Sequence, residues 1–338
     1  MLKTDMLRAQ KGRPWRLYLI FSLLLVLSTA GFSRPAALNA LLPQIDNGMY
    51  AQCEKAVRAS LDKLIEKYGA YGVYPRKNRD WTADSVKVDL EEGHLPPAAA
   101  RFLRAYETFG DDAYLQAGLK SADFFCQIQH ENGGFPTAAI LERGGKAYAV
   151  VGRKHKHPLG VARIEDAHQY PAFCLMLYAY KLTGQKKYLN SAKKWGDLFF
   201  DKIQYHDWGC SPDYWDGKAR PIGDAYTSGE DDIDWGVANG GSYSDHATYD
   251  GFMTTMAMYH LTKDPKYLKH SSKLGQWIFL THQGEGATRG WADNYNRLNE
   301  PVPARHHEGL NIEPRVANRF TLPMMMWFYV MTGEERYR

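Results

Sequence analysis

The feature of this sequence that most constrains its fold is a junction between two helical patterns that occurs four times. In each copy a Thr ends an apolar helical stretch, and a Tyr opens the next stretch five or six residues later. The four tyrosines, Tyr114, Tyr188, Tyr267 and Tyr337, are separated by 74, 79 and 70 residues. Because a long repeat that contains a helix pair is typical of stacked helical hairpins, the chain is predicted to be an array of such hairpins.

The two ends of the array each provide half of a hairpin. Residues 47–68 have the pattern of a second helix without a first, and residues 316–331 have that of a first helix. Pairing these helices would bury the apolar faces of both and close the array. We therefore expect an all-α fold, an (α/α) toroid of about four helical hairpins with long loops on one face. The apolar first helices are expected inside and the amphipathic second helices outside, with Pro323 kinking or shortening its helix.

Acidic residues recur at one position of the repeat. Counting back 22 residues from each repeated Tyr reaches Glu92, Asp166, Asp245 and Arg315, so three copies have an acid where the first helix starts. A single acid there is commonly a helix cap, but the stretches EDAH and SDH around two of them contain more polar groups than a cap needs. Carboxylates that converge on one cavity can hold Ca²⁺, bind sugar hydroxyls, or act as acid and base.

Two long loops contain further candidates. Residues 291–313 have little periodicity, and Arg305 follows the stretch PVPA, whose prolines stiffen the approach. A held guanidinium suits a carboxylate or a phosphate; the alternative is a structural ion pair with Glu308 or Glu313. Residues 229–235 read GEDDIDW, which includes Trp235. This stretch is either a source of calcium ligands or a solvated acidic loop, and its spacing does not match an EF-hand.

The first 30 residues have the pattern of a targeting segment. Five basic residues precede an apolar run at 17–27, and small residues follow at 28–30. This pattern predicts a secretory signal peptide; the alternative is an uncleaved anchor, although the run is short for a membrane span. We expect a signal peptide at 1–30, a linker at 31–46 and one α/α-toroid catalytic domain at 47–338. The location is then secreted or periplasmic, with no membrane contact after cleavage.

Charge and composition exclude some function classes. The chain has 42 basic and 38 acidic residues, and without residues 1–30 the two counts become 42 − 5 = 37 and 38 − 1 = 37. No global basicity therefore points to nucleic acid. The 22 Tyr and 9 Trp suit carbohydrate binding, because sugar faces stack on aromatic rings, but they also suit ordinary helix packing. The four cysteines form no paired CxxC arrangement, which argues against a structural zinc site. We expect a monomer.

Three places in the sequence, the first of them a pair of neighbouring stretches, resemble the pectate lyases of polysaccharide lyase family 10. Residues 291–296, WADNYN, and 301–308, PVPARHHE, are similar to that family's W-x-x-Q-Y/H-D and P-x-x-A-R-x-Y/F-E. The stretches SDHA at 244–247 and EDAH at 165–168 are similar to its N-D-x-A and D-N-x-A-T helix starts. The resemblance covers about residues 160–320, and the family has an α/α toroidal fold.

The resemblance implies an activity and a set of site residues. The family cleaves polygalacturonate by β-elimination with Ca²⁺ and an arginine base, so Arg305 is expected to take the C5 proton of a uronate. The metal ligands are then Asp166, Asp245 and Glu165. The predicted substrate-binding residues are His168, His246, Trp291, Asn294, Glu308 and Trp235. The expected function is that of a secreted, calcium-dependent lyase of a pectate-like uronic-acid polysaccharide.

The sequence departs from the family pattern in several positions. Asn294 replaces Gln, Asn296 replaces Asp, and His307 replaces the aromatic residue before the final Glu. Two alternatives therefore stay open. One is an α/α-toroid glycoside hydrolase that resembles the unsaturated glucuronyl hydrolases, with Asp166, Asp245 or Glu92 as acid and base and no metal. The other is a glycan-binding protein without turnover.

Overall fold

The computed structural model describes residues 47–74, 84–90, 95–151, 160, 162–164, 166–215, 240–243, 246–286, 289–302 and 311–338. The chain divides into two compact units, 1–60 and 61–338. The predicted signal peptide and linker lie outside the described residues. Helix α1, Asn47–Tyr68, has the bounds predicted from the sequence. Among the described helices, none combines the length and the apolar character that a bilayer span requires.

The unit 61–338 is built from helical hairpins, as predicted. The first hairpin joins α2, Leu95–Phe109, to α3, Asp112–Ile128. The second joins α4, Gln169–Thr183, to α5, Lys186–Leu198, which continues into a π-helical turn at Phe199–Ile203. The third joins α6, Ala247–Thr262, to α7, Lys266–Leu280. The first helices α2, α4 and α6 pack side by side in one layer, and α3 packs against α5 in a second layer.

The repeated Thr forms the end of each first helix. The hydroxyl of Thr183 donates to the Ala179 carbonyl at 2.7 Å and accepts from the N–H of Gln185 at 3.2 Å. Thr262 and Thr332 make the same pair of bonds in the third and fourth copies. A left-handed residue follows the Thr in all three of these copies, and in the second copy this is Gly184, with φ of 67°. Such a residue ends a helix by turning the chain out of the helical path.

The repeated Tyr joins successive hairpins. The hydroxyl of Tyr188 on α5 donates to Asp123 Oδ1 on α3 at 2.8 Å. That of Tyr267 on α7 donates to Asp197 Oδ1 on α5 at 2.9 Å. Each acceptor Asp lies nine residues after the Tyr of its own copy, so one sequence position of the repeat binds the next copy. We call these bonds the Tyr–Asp contacts.

Short antiparallel strands close the base of each hairpin, which the sequence analysis did not predict. Strand β1, Ser85–Asp89, precedes α2 and pairs with β2, Ala138–Glu142, after α3; β3, Ala147–Val150, extends this sheet. In the second copy β4, Ala162–Arg163, pairs with β5, Tyr214–Trp215. In the third, β6, Gly241–Ser242, pairs with β7, Asn294–Tyr295.

The same backbone bond follows each strand pair. The N–H of Leu90, Ile164 and Tyr243 donates at 2.8 Å to the carbonyl of Thr137, Asp213 and Asp293, respectively. The three donors each lie 24 residues before the repeated Tyr of their copy. The strand pairs therefore fix the turn that carries the repeated acid, two residues further on.

The fourth copy is a single long first helix with an interruption. It consists of α8, Pro314–Val316, a π-helical turn, Ala317–Thr321, and α9, Leu322–Thr332, and a 3₁₀ turn, Glu335–Tyr337, follows. Pro323 is the second residue of α9 and lies two positions after the last residue of the π turn. Because Pro has no N–H and its ring clashes with the preceding turn, the interruption agrees with the predicted effect of Pro323.

Candidate functional site

Two equivalent turns before the first helices have strained backbones. Asp166 and Ala167 have φ of 57° and 52°, and His246 has φ of 81°. Ala167 and His246 both lie 21 residues before the repeated Tyr of their copies. The left-handed region is unfavourable for residues with a Cβ, at a cost of about 1–3 kcal/mol for each residue, and such strain clusters at functional sites. The repeat therefore presents two polar turns in the same strained conformation.

Asp166, a predicted metal ligand, is partly accessible. Its side chain is 34% exposed and forms an ion pair with Arg163, whose side chain is only 4% exposed. Arg163 is in β4 and belongs to the strand pair below the turn. The ion pair orients the Asp166 carboxylate and occupies its Oδ2. Carboxylate oxygens are the ligands that calcium prefers, so the accessible carboxylate suits a metal, while Arg163 competes for one of its oxygens.

The rest of the predicted metal site cannot be placed. Glu165 and Asp245 lie outside the described residues, as does Glu92. Within the part of the chain that the structure describes, no three His, Cys, Asp or Glu side chains are grouped in a way that could hold a metal ion.

His168 lies inside the protein. Its Nε2 is 3.0 Å from the Pro136 carbonyl, and burial lowers the pKa of the imidazole to about 4. The neighbouring Gln169 binds both the N–H and the carbonyl of Phe135, at 2.9 and 3.0 Å. These two residues hold the NGGFP loop of the first copy against the start of α4. Contact between His168 and a substrate stays a prediction.

Trp291 and Asn294 are also buried. The indole Nε1 of Trp291 donates to the Ile278 carbonyl at 2.7 Å, and its ring lies against His282 with centroids 4.6 Å apart. Asn294 is in β7, and its carbonyl accepts from the N–H of Val302 at 3.0 Å. The motif at 291–296 thus contributes one strand, β7, to the strand pair below the third turn. Its direct contact with a sugar stays a prediction.

His246 is the accessible member of the third turn. Its side chain is 32% exposed, and its Nδ1 lies 3.8 Å from Asp250 Oδ1. The ring contacts Phe320 of the π turn, with centroids 4.9 Å apart and planes at 66°. Contact between His246 and a substrate stays a prediction.

Asp250 is a residue that the sequence analysis missed. It lies in the first turn of α6 and is only 4% exposed, and burial raises the pKa of its carboxyl well above the usual range. Its Oδ2 has no hydrogen-bond partner within the described chain. Tyr170 and Cys174 of α4 and Tyr249 of α6 are close enough to interact with it electrostatically. An acid four residues after His246, in an otherwise apolar helix, was the signal available in the sequence.

The fourth copy has a cation where the others have an acid. Arg315 Nη2 forms an ion pair at 2.8 Å with Asp293 Oδ2, and the Asp293 side chain is only 2% exposed. Asp293 is equivalent in the repeat to Thr137 and Asp213 through the shared backbone bond. The remaining predicted site residues, Arg305, Glu308 and Trp235, lie outside the described residues.

Comparison with known proteins supports the fold. No protein-family model matches the sequence, and no curated protein matches it. The structure is similar to that of cellobiose 2-epimerase from Spirochaeta thermophila, with a TM-score of 0.50 and 12% identity over 87% of this chain and 67% of that one. It is also similar to a mutant of family 10 polysaccharide lyase from Cellvibrio cellulosa in complex with trigalaturonic acid, with a TM-score of 0.43 and 16% identity over 68% and 66%.

An unsaturated glucuronyl hydrolase specific for heparin is a further similar structure, with a TM-score of 0.46 and 13% identity over 74% of this chain and 58% of that one. This chain thus spans about two thirds or less of the length of these proteins. At such identities the likeness concerns the fold alone. Together with the stacked hairpins it confirms the predicted all-α, α/α-toroid class.

Proposed function

We propose that this protein is a glycan-processing enzyme, a secreted polysaccharide lyase that cleaves a uronic-acid glycan by calcium-assisted β-elimination. The observation that carries the proposal is the pair of equivalent strained turns, which present Asp166 and His246 as accessible polar side chains at the starts of neighbouring first helices. The motif at 301–308, which resembles that of the family 10 pectate lyases, supplies the proposed base.

The reaction assigns Arg305 a proton-transfer role. Arg305 removes the C5 proton of a uronate, the C4–O4 bond breaks, a double bond forms between C4 and C5, and the departing oxygen takes up a proton. Because a guanidinium is normally protonated, we expect the rate to rise toward alkaline pH.

The proposed calcium site consists of Asp166, Asp245 and Glu165. Calcium bound there would neutralise the uronate carboxylate and so acidify the proton at the neighbouring carbon. Arg163 has a separate role in this scheme, since its ion pair with Asp166 orients that carboxylate from the buried side.

The same ion pair favours a second candidate function, a metal-free glycoside hydrolase of the unsaturated glucuronyl hydrolase type. An oxygen bound to Arg163 is less available to a metal ion, and an accessible carboxylate suits acid–base catalysis. A glycan-binding protein without turnover is the third alternative. The three differ in their response to a chelator.

The test is ultraviolet absorbance of the unsaturated uronate product on a panel of uronic-acid polysaccharides, at alkaline pH with added Ca²⁺ or with EDTA. A lyase gives a rise that EDTA abolishes. A hydrolase releases reducing sugar without this rise and is insensitive to EDTA. Absence of both signals across the panel would refute an enzyme of either class on these glycans.

Substitution of the proposed base sharpens the test. We expect Arg305→Ala to lower kcat by at least about a thousandfold, because the proton acceptor is lost. The matched control is Arg143→Ala, an exposed arginine in the turn between β2 and β3, which should keep full activity. Activity of Arg305→Ala within about tenfold of the wild type would contradict its assignment as the base.

A further inference from the structure

The exposed side of α9, Leu322–Thr332, is apolar. Leu322, Met326 and Val330 are 44%, 63% and 77% exposed, and the neighbouring Met331 is 40% exposed. Because residues four apart lie on the same side of a helix, these side chains line one side of α9, and we call them the α9 stripe. A contiguous exposed apolar surface is uncommon on monomeric soluble proteins and often marks an interaction site.

The exposed end of the stripe is apolar in the fourth copy alone. Val330 lies seven residues before the repeated Tyr of its copy, and the equivalent residues of the other copies are Glu107, Lys181 and His260. All three of these polar residues are exposed. A position that is polar toward solvent in three copies and apolar in the fourth indicates that the fourth copy uses this surface for packing.

The other end of the stripe continues an interface that the structure already contains. Leu322 lies 15 residues before the repeated Tyr, and the equivalent residues Ala99, Phe173 and Phe252 are at most 1% exposed. Phe252 of α6 packs against Phe328 of the following copy, with ring centroids 5.1 Å apart. The face with which α6 contacts the next first helix therefore has an exposed counterpart on α9.

We propose that the α9 stripe is a dimer interface, on which α9 of a second copy of this chain packs antiparallel about a two-fold axis near Met326. A second copy presents a first helix with the same exposed face, and a two-fold contact covers both stripes at once. The layer of first helices then continues from one copy into the other. This assembly differs from the monomer expected in the sequence analysis, and it does not depend on the proposed function.

Charges at the two ends of α9 favour the antiparallel arrangement. Arg319 is exposed and lies seven residues before Met326. Glu334 lies eight residues after Met326; its side chain is 47% exposed and pairs with Arg336 at 2.7 Å. Antiparallel packing brings Arg319 of one copy close to Glu334 of the other and to the C-terminal end of its α9, which carries a partial negative charge. Parallel packing would place like charges together.

The test is analytical ultracentrifugation of the purified protein over a range of concentrations. We expect a monomer–dimer equilibrium with a Kd of about 1–50 µM, because a single helix pair is a small interface. Met326→Glu should weaken the dimer at least about a hundredfold, since it places two carboxylates near the two-fold axis. The circular dichroism of this variant should be unchanged, because Met326 is exposed. Leu298→Glu is the matched control: Leu298 is 73% exposed in a turn outside α9, and its substitution should leave the Kd unchanged.

Charge exchange tests the orientation of the two helices. Arg319→Glu and Glu334→Arg should each weaken the dimer by about tenfold, because each substitution creates two like-charge contacts per dimer. An equal mixture of the two variants should dimerise to within about threefold of the wild type, since both contacts then join opposite charges.

The two experiments can each contradict the proposal. A wild type that stays monomeric at about 500 µM, or a dimer that Met326→Glu leaves intact, would overturn the interface. In the first case the stripe is covered by other residues of the chain or by a different partner. A mixture that dimerises no better than the separate charge variants would overturn the antiparallel arrangement.

Discussion

The Tyr–Asp contacts offer a direct test of how the hairpins hold together. Tyr188→Phe removes one hydroxyl and keeps the ring that fills the interface. The lost bond, Tyr188 to Asp123 at 2.8 Å, joins two neighbouring second helices. If the stack depends on these contacts, the variant should be less stable while its fold is unchanged.

The magnitude follows from the acceptor and its exposure. Hydrogen bonds to charged groups contribute about 1.5–3 kcal/mol to stability. The Asp123 side chain is 42% exposed and also pairs with Lys187, so water and Lys187 partly replace the lost donor. We therefore expect a loss near the lower limit, about 1–1.5 kcal/mol, and a fall in Tm of about 2–4 °C for each kcal/mol.

The assay is denaturant unfolding followed by circular dichroism, arranged as a double-mutant cycle with Asp123→Ala. The coupling between the two substitutions should be about 0.5–1.5 kcal/mol. Tyr148→Phe is the control, because Tyr148 is 41% exposed on β3 and its substitution should have almost no effect. A coupling energy indistinguishable from zero would refute the view that the repeated Tyr stabilises the stack.

Three further predictions concern buried positions. Burial lowers the folded-state pKa of His168 to about 4, below the ordinary value of 6.5, so its contribution to stability is complete above pH 6.5 and is lost as the pH falls toward 4. The stability lost between these pH values is about 3 kcal/mol. In His168→Gln the free energy of unfolding should therefore vary less with pH between 6.5 and 4. Burial raises the pKa of Asp250, so its contribution to stability is present below the pKa of the unfolded state, near 4, and is lost as the pH rises. Asp250→Asn should therefore raise the free energy of unfolding at pH 7, and this gain should disappear near pH 4 in the same titration. Gly209 has φ of 98°, and an added Cβ would lie 2.3 Å from the Leu274 nitrogen, whereas a Cβ at Gly144, with φ of 117°, would meet open space. Gly209→Ala should therefore lower the free energy of unfolding by at least about 2 kcal/mol more than Gly144→Ala, as measured by thermal unfolding. Equal losses would contradict the close packing of Gly209 against Leu274.

The helices could be predicted from the sequence because their ends are specified locally. The repeated Thr binds a carbonyl four residues before it and an N–H two residues after it, so the junction is determined by residues that are close in sequence. The strands could not be predicted in this way. Strands such as β4 and β5 have two residues each, and their paired residues are 51 and 53 positions apart, so the pairing depends on the completed hairpin and not on a local pattern.

The candidate site was predicted in part. The repeat spacing located the turns at Asp166 and His246, which the structure shows to be accessible and strained. Motif similarity gave no information about burial. It selected Asn294, which lies in strand β7 below the turn, and Trp291, which is buried against α7 just before that strand. Asp250 was missed because a single acid in a helix usually faces solvent. Its significance depends on packing against α4, which no local pattern reveals.

The fourth copy differs from the others in the contacts made around the position of the repeated acid. In the first three copies the backbone N–H two positions before the repeated acid donates to a carbonyl of the loop that follows its own hairpin. In the fourth copy the corresponding N–H, of Glu313, donates instead to the Trp291 carbonyl of the third copy, at 2.8 Å. In addition, Val316 has an ordinary helical φ of −63°, where Ala167 and His246 are left-handed. The described part of the fourth copy, residues 311–338, thus has no left-handed residue before its first helix, and its Arg315 pairs with Asp293 of the third copy. The fourth copy therefore supports the third through both contacts, whereas the second and third turns, among the described residues, combine left-handed backbones with partly exposed polar side chains.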